Sequence, residues 1–137
     1  MKVYRDPAAT NEVERLATKY RSGWEAIGQF ERLLSNGKTQ GHFQYPGLKL
    51  RRGDEPATIW KSKVICPELG GKSAGLRYVY ERISIDGEEY AVGLTVYVHQ
   101  SGINENDVRR VIRQRFALFD GTSQGLRRLE PSDAVGC

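Results

Sequence analysis

Ile59-Trp60-Lys61-Ser62-Lys63-Val64-Ile65, followed by Gly75-Leu76-Arg77-Tyr78-Val79-Tyr80, is the stretch that decides how this chain folds. Residues two apart on a strand point to the same face. A strand over Trp60–Cys66 therefore sets Lys61, Lys63 and Ile65 on one side and Trp60, Ser62, Val64 and Cys66 on the other. A second strand, Gly75–Ile85, carries Arg77 and follows closely enough to pair with the first. Asp86-Gly87 is a tight-hairpin signal and leads into a third strand, Tyr90–His99. Strict alternation there gives an apolar face of Val92, Leu94, Val96 and Val98 and an opposite face of Gly93, Thr95, Tyr97 and His99. Three cations gathered on one sheet face invite a polyanion.

Upstream, Lys2–Arg5 reads as a short strand, and Asp6-Pro7 supplies a capping side chain with a proline at the first helical position. Apolar residues at Val13, Leu16, Tyr20, Trp24, Ile27, Phe30 and Leu34 recur at three and four, the spacing of one helix stripe. Ser22-Gly23 divides the pattern into two helices, and Ser35-Asn36-Gly37 ends the second. Lys38–Pro56 reads as a long connection with an extended piece at Leu48–Arg51. Downstream of Ser101-Gly102, Asn104 caps a helix whose apolar stripe is Val108, Val111, Ile112 and Phe116, with Arg109 and Arg113 one turn apart on another face. From Asp120 to Cys137 periodicity is lost, which predicts a flexible tail.

The order gives an α+β fold: an N-terminal helical hairpin packed on one face of a small antiparallel β-sheet, with a C-terminal helix. Residues 1–119 form one domain and 120–137 the tail, and the uncovered sheet face is left for chemistry. With 137 residues, 39% of them hydrophobic, the chain suffices for one core and not comfortably for two.

The formal net charge is only +4, but its distribution is uneven. Between Lys38 and Arg82, nine cations (Lys38, Lys49, Arg51, Arg52, Lys61, Lys63, Lys72, Arg77, Arg82) face four anions (Asp54, Glu55, Glu68, Glu81). A second basic block, Arg109, Arg110, Arg113 and Arg115, follows an acidic stretch. Such blocks suit phosphate recognition and equally suit a solvated surface. Cys66 and Cys137 have neither disulfide-framework nor zinc spacing, so no metal or cofactor is expected. The opening Met1–Pro7 lacks the apolar core of a signal peptide, and no stretch is apolar enough for a membrane span. The expectation is a soluble cytoplasmic protein without membrane contact.

Lys61-x-Lys63, the strand Gly75-x-Arg77-x-Val79-Tyr80, the two preceding helices and the strand Val92–Val98 together resemble the RelE/ParE superfamily of type II toxins, over roughly Lys2 to Phe116. The resemblance implies an mRNA endoribonuclease acting at the ribosome without a metal, neutralised by an antitoxin in a hetero-oligomer. By the same resemblance Lys61, Lys63 and Arg77 surround the scissile phosphate. The family often adds an arginine at the end of the last strand and a tyrosine near the C-terminus. Here the strand ends in His99-Gln100-Ser101, and no tyrosine follows Tyr97.

Cleavage of RNA by its own 2′-hydroxyl needs a base, cations around the phosphorane and an acid for the leaving 5′-oxygen. The sequence offers Lys61 or Lys63 as base, its pKa lowered by neighbouring cations, Arg77 as phosphate clamp, and His99 as acid. Lys72, Tyr97, Arg109 and Arg113 are candidate RNA contacts, Tyr97 by stacking. An exposed Lys-x-Lys strand also serves as a solubilising edge. Gly70-Gly71-Lys72-Ser73 lacks the earlier glycine and following helix of a nucleotide-triphosphate loop, which excludes nucleotide hydrolysis. The alternatives to a nuclease are a member of the same fold that inhibits a protein target such as DNA gyrase, and a nucleic-acid-binding module without catalysis.

Overall fold

A computed structural model describes residues 1–69, 75–99 and 103–132. Strand β1 (Lys2–Arg5) passes into helix α1 (Pro7–Lys19) through the signal the sequence carries: Asp6 Oδ2 accepts from the Ala8 amide at 2.9 Å, and Pro7 takes the first helical position, where a missing N–H costs nothing. Helix α2 (Gly23–Ser35) folds back on α1. Gly23 permits the close turn, since a Cβ there would lie 3.2 Å from the Leu16 carbonyl oxygen.

The chain continues through β2 (Phe43–Gln44), β3 (Arg51–Arg52), β4 (Glu55–Pro56), β5 (Thr58–Val64), β6 (Gly75–Ile85), β7 (Glu88–His99), α3 (Glu105–Leu118) and β8 (Glu130–Pro131). Among the described residues, one sheet has the order β2-β5-β6-β7-β1-β8, and β3 with β4 forms a separate two-stranded ribbon. Asp86 and Gly87 both have positive φ, 52° and 84°, as a primed hairpin turn between β6 and β7 requires.

The α+β class holds, but two features of the expected architecture are corrected. The sheet is mixed: β1 runs parallel to β7, with Lys2 opposite Tyr90 and Arg5 opposite Gly93. A parallel pair needs a long crossover, and here α1, α2 and the β5-β6-β7 meander intervene. The helices also occupy both faces instead of one. Val13, Ile27, Phe30 and Leu34 of the helical hairpin pack on Leu76, Tyr78, Tyr80 and Val96, while Ile112 and Phe116 of α3 pack on Ile59, Val79, Val92 and Leu94.

A bulge explains how one strand serves both cores. Val79 pairs with Thr95 but Tyr80 pairs with Gly93, leaving Leu94 as the extra residue of β7. The apolar row read as one face is therefore split. Val92 and Leu94 face α3, whereas Val96 and Val98 face the hairpin. Beyond the bulge, Tyr97 turns toward α3, and His99, two residues on, shares its side.

The expected tail is corrected over residues 120–132. Leu126 and Leu129 join the α3 core, and β8 pairs antiparallel with β1. Ser132 donates its hydroxyl to Glu31 Oε1 at 2.7 Å. Glu31 also accepts from Arg5, through Nε at 2.7 Å and Nη2 at 2.6 Å, and from the Tyr78 hydroxyl at 2.6 Å. These bonds offset the desolvation of a carboxylate that is 0% exposed. No helix among the described residues is long and apolar enough to cross a membrane.

Candidate functional site

The register of the meander assembles the site. Lys63 lies opposite Arg77, and Arg77 opposite Tyr97, making one row across three strands. In the next row Phe43 lies opposite Lys61, Lys61 opposite Val79, and Val79 opposite Thr95. His99 pairs with Gly75, one step beyond the first row. Residues directly opposite have Cβ atoms roughly 4.5–5.5 Å apart. Lys61, Lys63, Arg77, Tyr97 and His99 thus share the sheet face on which α3 lies, at the end where α3 begins.

The cations are not equally accessible. Lys63 is exposed and Lys61 half-buried, whereas Arg77 is only 5% exposed and donates through Nη1 to the Leu76 carbonyl at 3.3 Å. The expected free sheet face is corrected here too, because α3 covers it from Glu105 onward. Arg109 reaches this cluster from the first turns of α3, its guanidinium 5.9 Å from the centre of the Tyr45 ring. Arg113 instead ties α3 to the connecting loop by donating to the Gly47 carbonyl at 3.3 Å. Lys72 lies outside the described residues.

Two site residues carry no sequence signal. Tyr45 follows β2 and is held by the hydrogen bond that its backbone N–H donates to the Ile59 carbonyl at 2.9 Å. Its hydroxyl donates to Glu105 Oε2 at 2.6 Å. Glu105 opens α3, whose start is fixed by Asn104 Oδ1 accepting from the Asn106 amide at 2.9 Å. Lys61 Nζ stands 5.0 Å from the Tyr45 ring centre and 5.8 Å from that of Phe43, so the ammonium lies between two aromatic rings. Tyr45 sits in a loop without periodicity, and the first-turn acid of α3 reads as an ordinary helix-dipole residue. Neither could be placed beside Lys61 before the chain was folded.

The electrostatics follow from this crowding. Burial, with Arg77 and Arg109 nearby, lowers the Lys61 pKa against the pull of Glu105. Burial, then Arg77 and Lys61, lowers that of His99. The Tyr45 hydrogen bond, followed by Lys61 and Arg109, holds the Glu105 carboxyl below its ordinary range. The Tyr97 phenol is pushed up to about 12, chiefly by burial. The Tyr97 hydroxyl and His99 Nδ1 are buried without a hydrogen-bond partner among the described residues.

This arrangement brings an amine, an imidazole, a guanidinium and a carboxylate together at the end of the sheet where α3 begins. Compared with family models, with curated proteins and with solved structures, the chain matches none.

Proposed function

We propose that this chain is an RNA endonuclease of the RelE-like toxin type, acting on mRNA at the ribosome and restrained by an antitoxin. The supporting observation is the cross-strand row Lys63-Arg77-Tyr97 with Lys61 and His99 on its flanks, all on one face. In this reading the 2′-oxygen attacks phosphorus as the bond to the 5′-oxygen breaks, giving a 2′,3′-cyclic phosphate and a free 5′-hydroxyl. Lys63 and Arg77 stabilise the phosphorane charge.

The pKa directions favour a division of labour opposite to the one the sequence suggested. A lowered His99 pKa keeps the imidazole neutral near pH 7 and fit to accept the 2′-proton. A lysine whose pKa is lowered by burial gives up its proton more readily than an unperturbed one, which suits it to donate to the leaving oxygen. His99 is thus the base and Lys61 the acid. The low exposure of Arg77 supports a rival reading, in which the cluster binds nucleic acid without cleaving it and Arg77 is structural.

Induced expression followed by transcript mapping tests the proposal, together with purified Lys61→Ala, Lys63→Ala, Arg77→Ala and His99→Ala. The nuclease reading expects transcript loss, and cleavage reduced at least tenfold in each variant while the thermal midpoints of Lys61→Ala and Lys63→Ala stay near that of the parent. Intact transcripts with growth arrest favour a protein target. Intact transcripts with normal growth sink the toxin reading.

A further inference from the structure

A carboxylate among phosphate-binding cations repels the ligand those cations attract, so Glu105 calls for an explanation. It is not the salt-bridge partner of the cluster, since no ion pair within 4.0 Å among the described residues includes it. Among the described residues its one side-chain hydrogen bond comes from the Tyr45 hydroxyl to Oε2, which orients the group and leaves Oε1 to accept from something else. The carboxylate is partly exposed. On the same sheet face Phe43 presents its ring 47% exposed, with Lys61 Nζ near its face.

An exposed aromatic ring beside cations is a stacking platform for a nucleobase. An ionised carboxylate only accepts hydrogen bonds. Of the four RNA bases, guanine alone presents two adjacent donors, N1–H and the N2 amino group, on its Watson–Crick edge. Adenine places an acceptor at N1, cytosine an acceptor at N3, and uracil flanks its single N3–H with carbonyls. We propose that Phe43 and Glu105, the latter oriented by Tyr45, form a base-recognition subsite selective for an unpaired guanine next to the phosphate held by Lys63 and Arg77. This inference rests on the RNA-cleaving reading of the site and adds its base preference.

The test uses oligonucleotides of uridine carrying a single G, A or inosine and 2′-O-methylated throughout, so that no linkage can be cut by its own sugar and binding is read alone by fluorescence anisotropy. The expected result is affinity for the G probe about tenfold or more above the A probe, the scale of one good bidentate base contact. Inosine, which keeps N1–H but lacks the amino group, falls between them. Glu105→Gln should abolish the G preference while leaving affinity for the A probe unchanged or higher. Phe43→Ala should weaken all probes alike.

Equal affinity of the parent protein for G and A, no binding to any probe, or an undiminished preference in Glu105→Gln would overturn the proposal. Selective G binding without cleavage of any all-ribose RNA would defeat the nuclease reading and leave this one standing. Cleavage without base preference would do the reverse.

Discussion

The Tyr45 hydroxyl donates to Glu105 Oε2 across 2.6 Å, joining the end of β2 to the first turn of α3. This bond closes one side of the cationic cluster and is the first cause of the lowered Glu105 pKa. Tyr45→Phe should cost about 1–2 kcal/mol, at the lower end because Glu105 is partly exposed, read by chemical denaturation at pH 7. The Glu105 pKa is lowered in the fold, so the stabilisation is present above the unfolded value of about 4.3 and is lost as pH falls through the folded one. In Tyr45→Phe an NMR titration should find the Glu105 carboxyl titrating at higher pH than in the parent. An unchanged midpoint would mean that the bond is not made in solution.

Gly93 lies under the Tyr78 ring at the point where β7 prepares to bulge. A Cβ there would fall 2.6 Å from the Tyr78 hydroxyl oxygen, and Tyr78 is 0% exposed, so the ring has nowhere to go. Gly93→Ala should destabilise by about 1–3 kcal/mol. Removing the hydroxyl relieves the clash, so Gly93→Ala combined with Tyr78→Phe should lose less than the two single losses added. Simple additivity in the double-mutant cycle would refute the packing argument.

Glu31 collects Arg5, Tyr78 and Ser132 in a buried network, Arg5 itself being 5% exposed. Glu31→Ala leaves a buried guanidinium uncompensated and should cost about 3–5 kcal/mol in urea denaturation. Ser132→Ala, which removes one of several donors, should cost about 1 kcal/mol. Equal losses in the two variants would show that the C-terminal segment, and not the ion pair, dominates.

His42 accepts or donates at Nδ1 with the Tyr80 hydroxyl at 2.7 Å and stacks on Phe30, ring centres 5.2 Å apart. Burial lowers its pKa, and that of His99 is lowered as well. A histidine with a folded pKa below its unfolded value of about 6.5 binds fewer protons in the fold, so stability rises with pH through that window. The contribution is fully present above pH 6.5 and is lost as pH falls toward the folded values. Thermal midpoints should therefore drop between pH 7.5 and pH 5, with a smaller drop in His42→Gln combined with His99→Asn. The same slope in that variant would assign the acid loss to other groups.

Local patterns in the sequence determined the longer elements, though not the two-residue strands β2, β3, β4 and β8. The Asp6-Pro7 start of α1, the break at Ser22-Gly23, the Asp86-Gly87 turn and the Asn104 cap each depend on chemistry within a few residues. The side-by-side placement of Lys61 and Lys63 opposite a strand bearing Arg77 was legible for the same reason, since strand alternation is a local rule. Tertiary structure decided the rest. One extra residue at Leu94 transfers Val96 and Val98 to the hairpin core and turns Tyr97 and His99 to the α3 side, and no periodicity in one strand reveals that its partner slips. Docking of β1 beside β7, anchoring of the C-terminal segment on Glu31, and the approach of Tyr45 and Glu105 to Lys61 all join residues far apart in the chain. Such contacts are set by which buried surfaces fit and which buried polar groups find partners, and that information exists only once the chain has closed on itself.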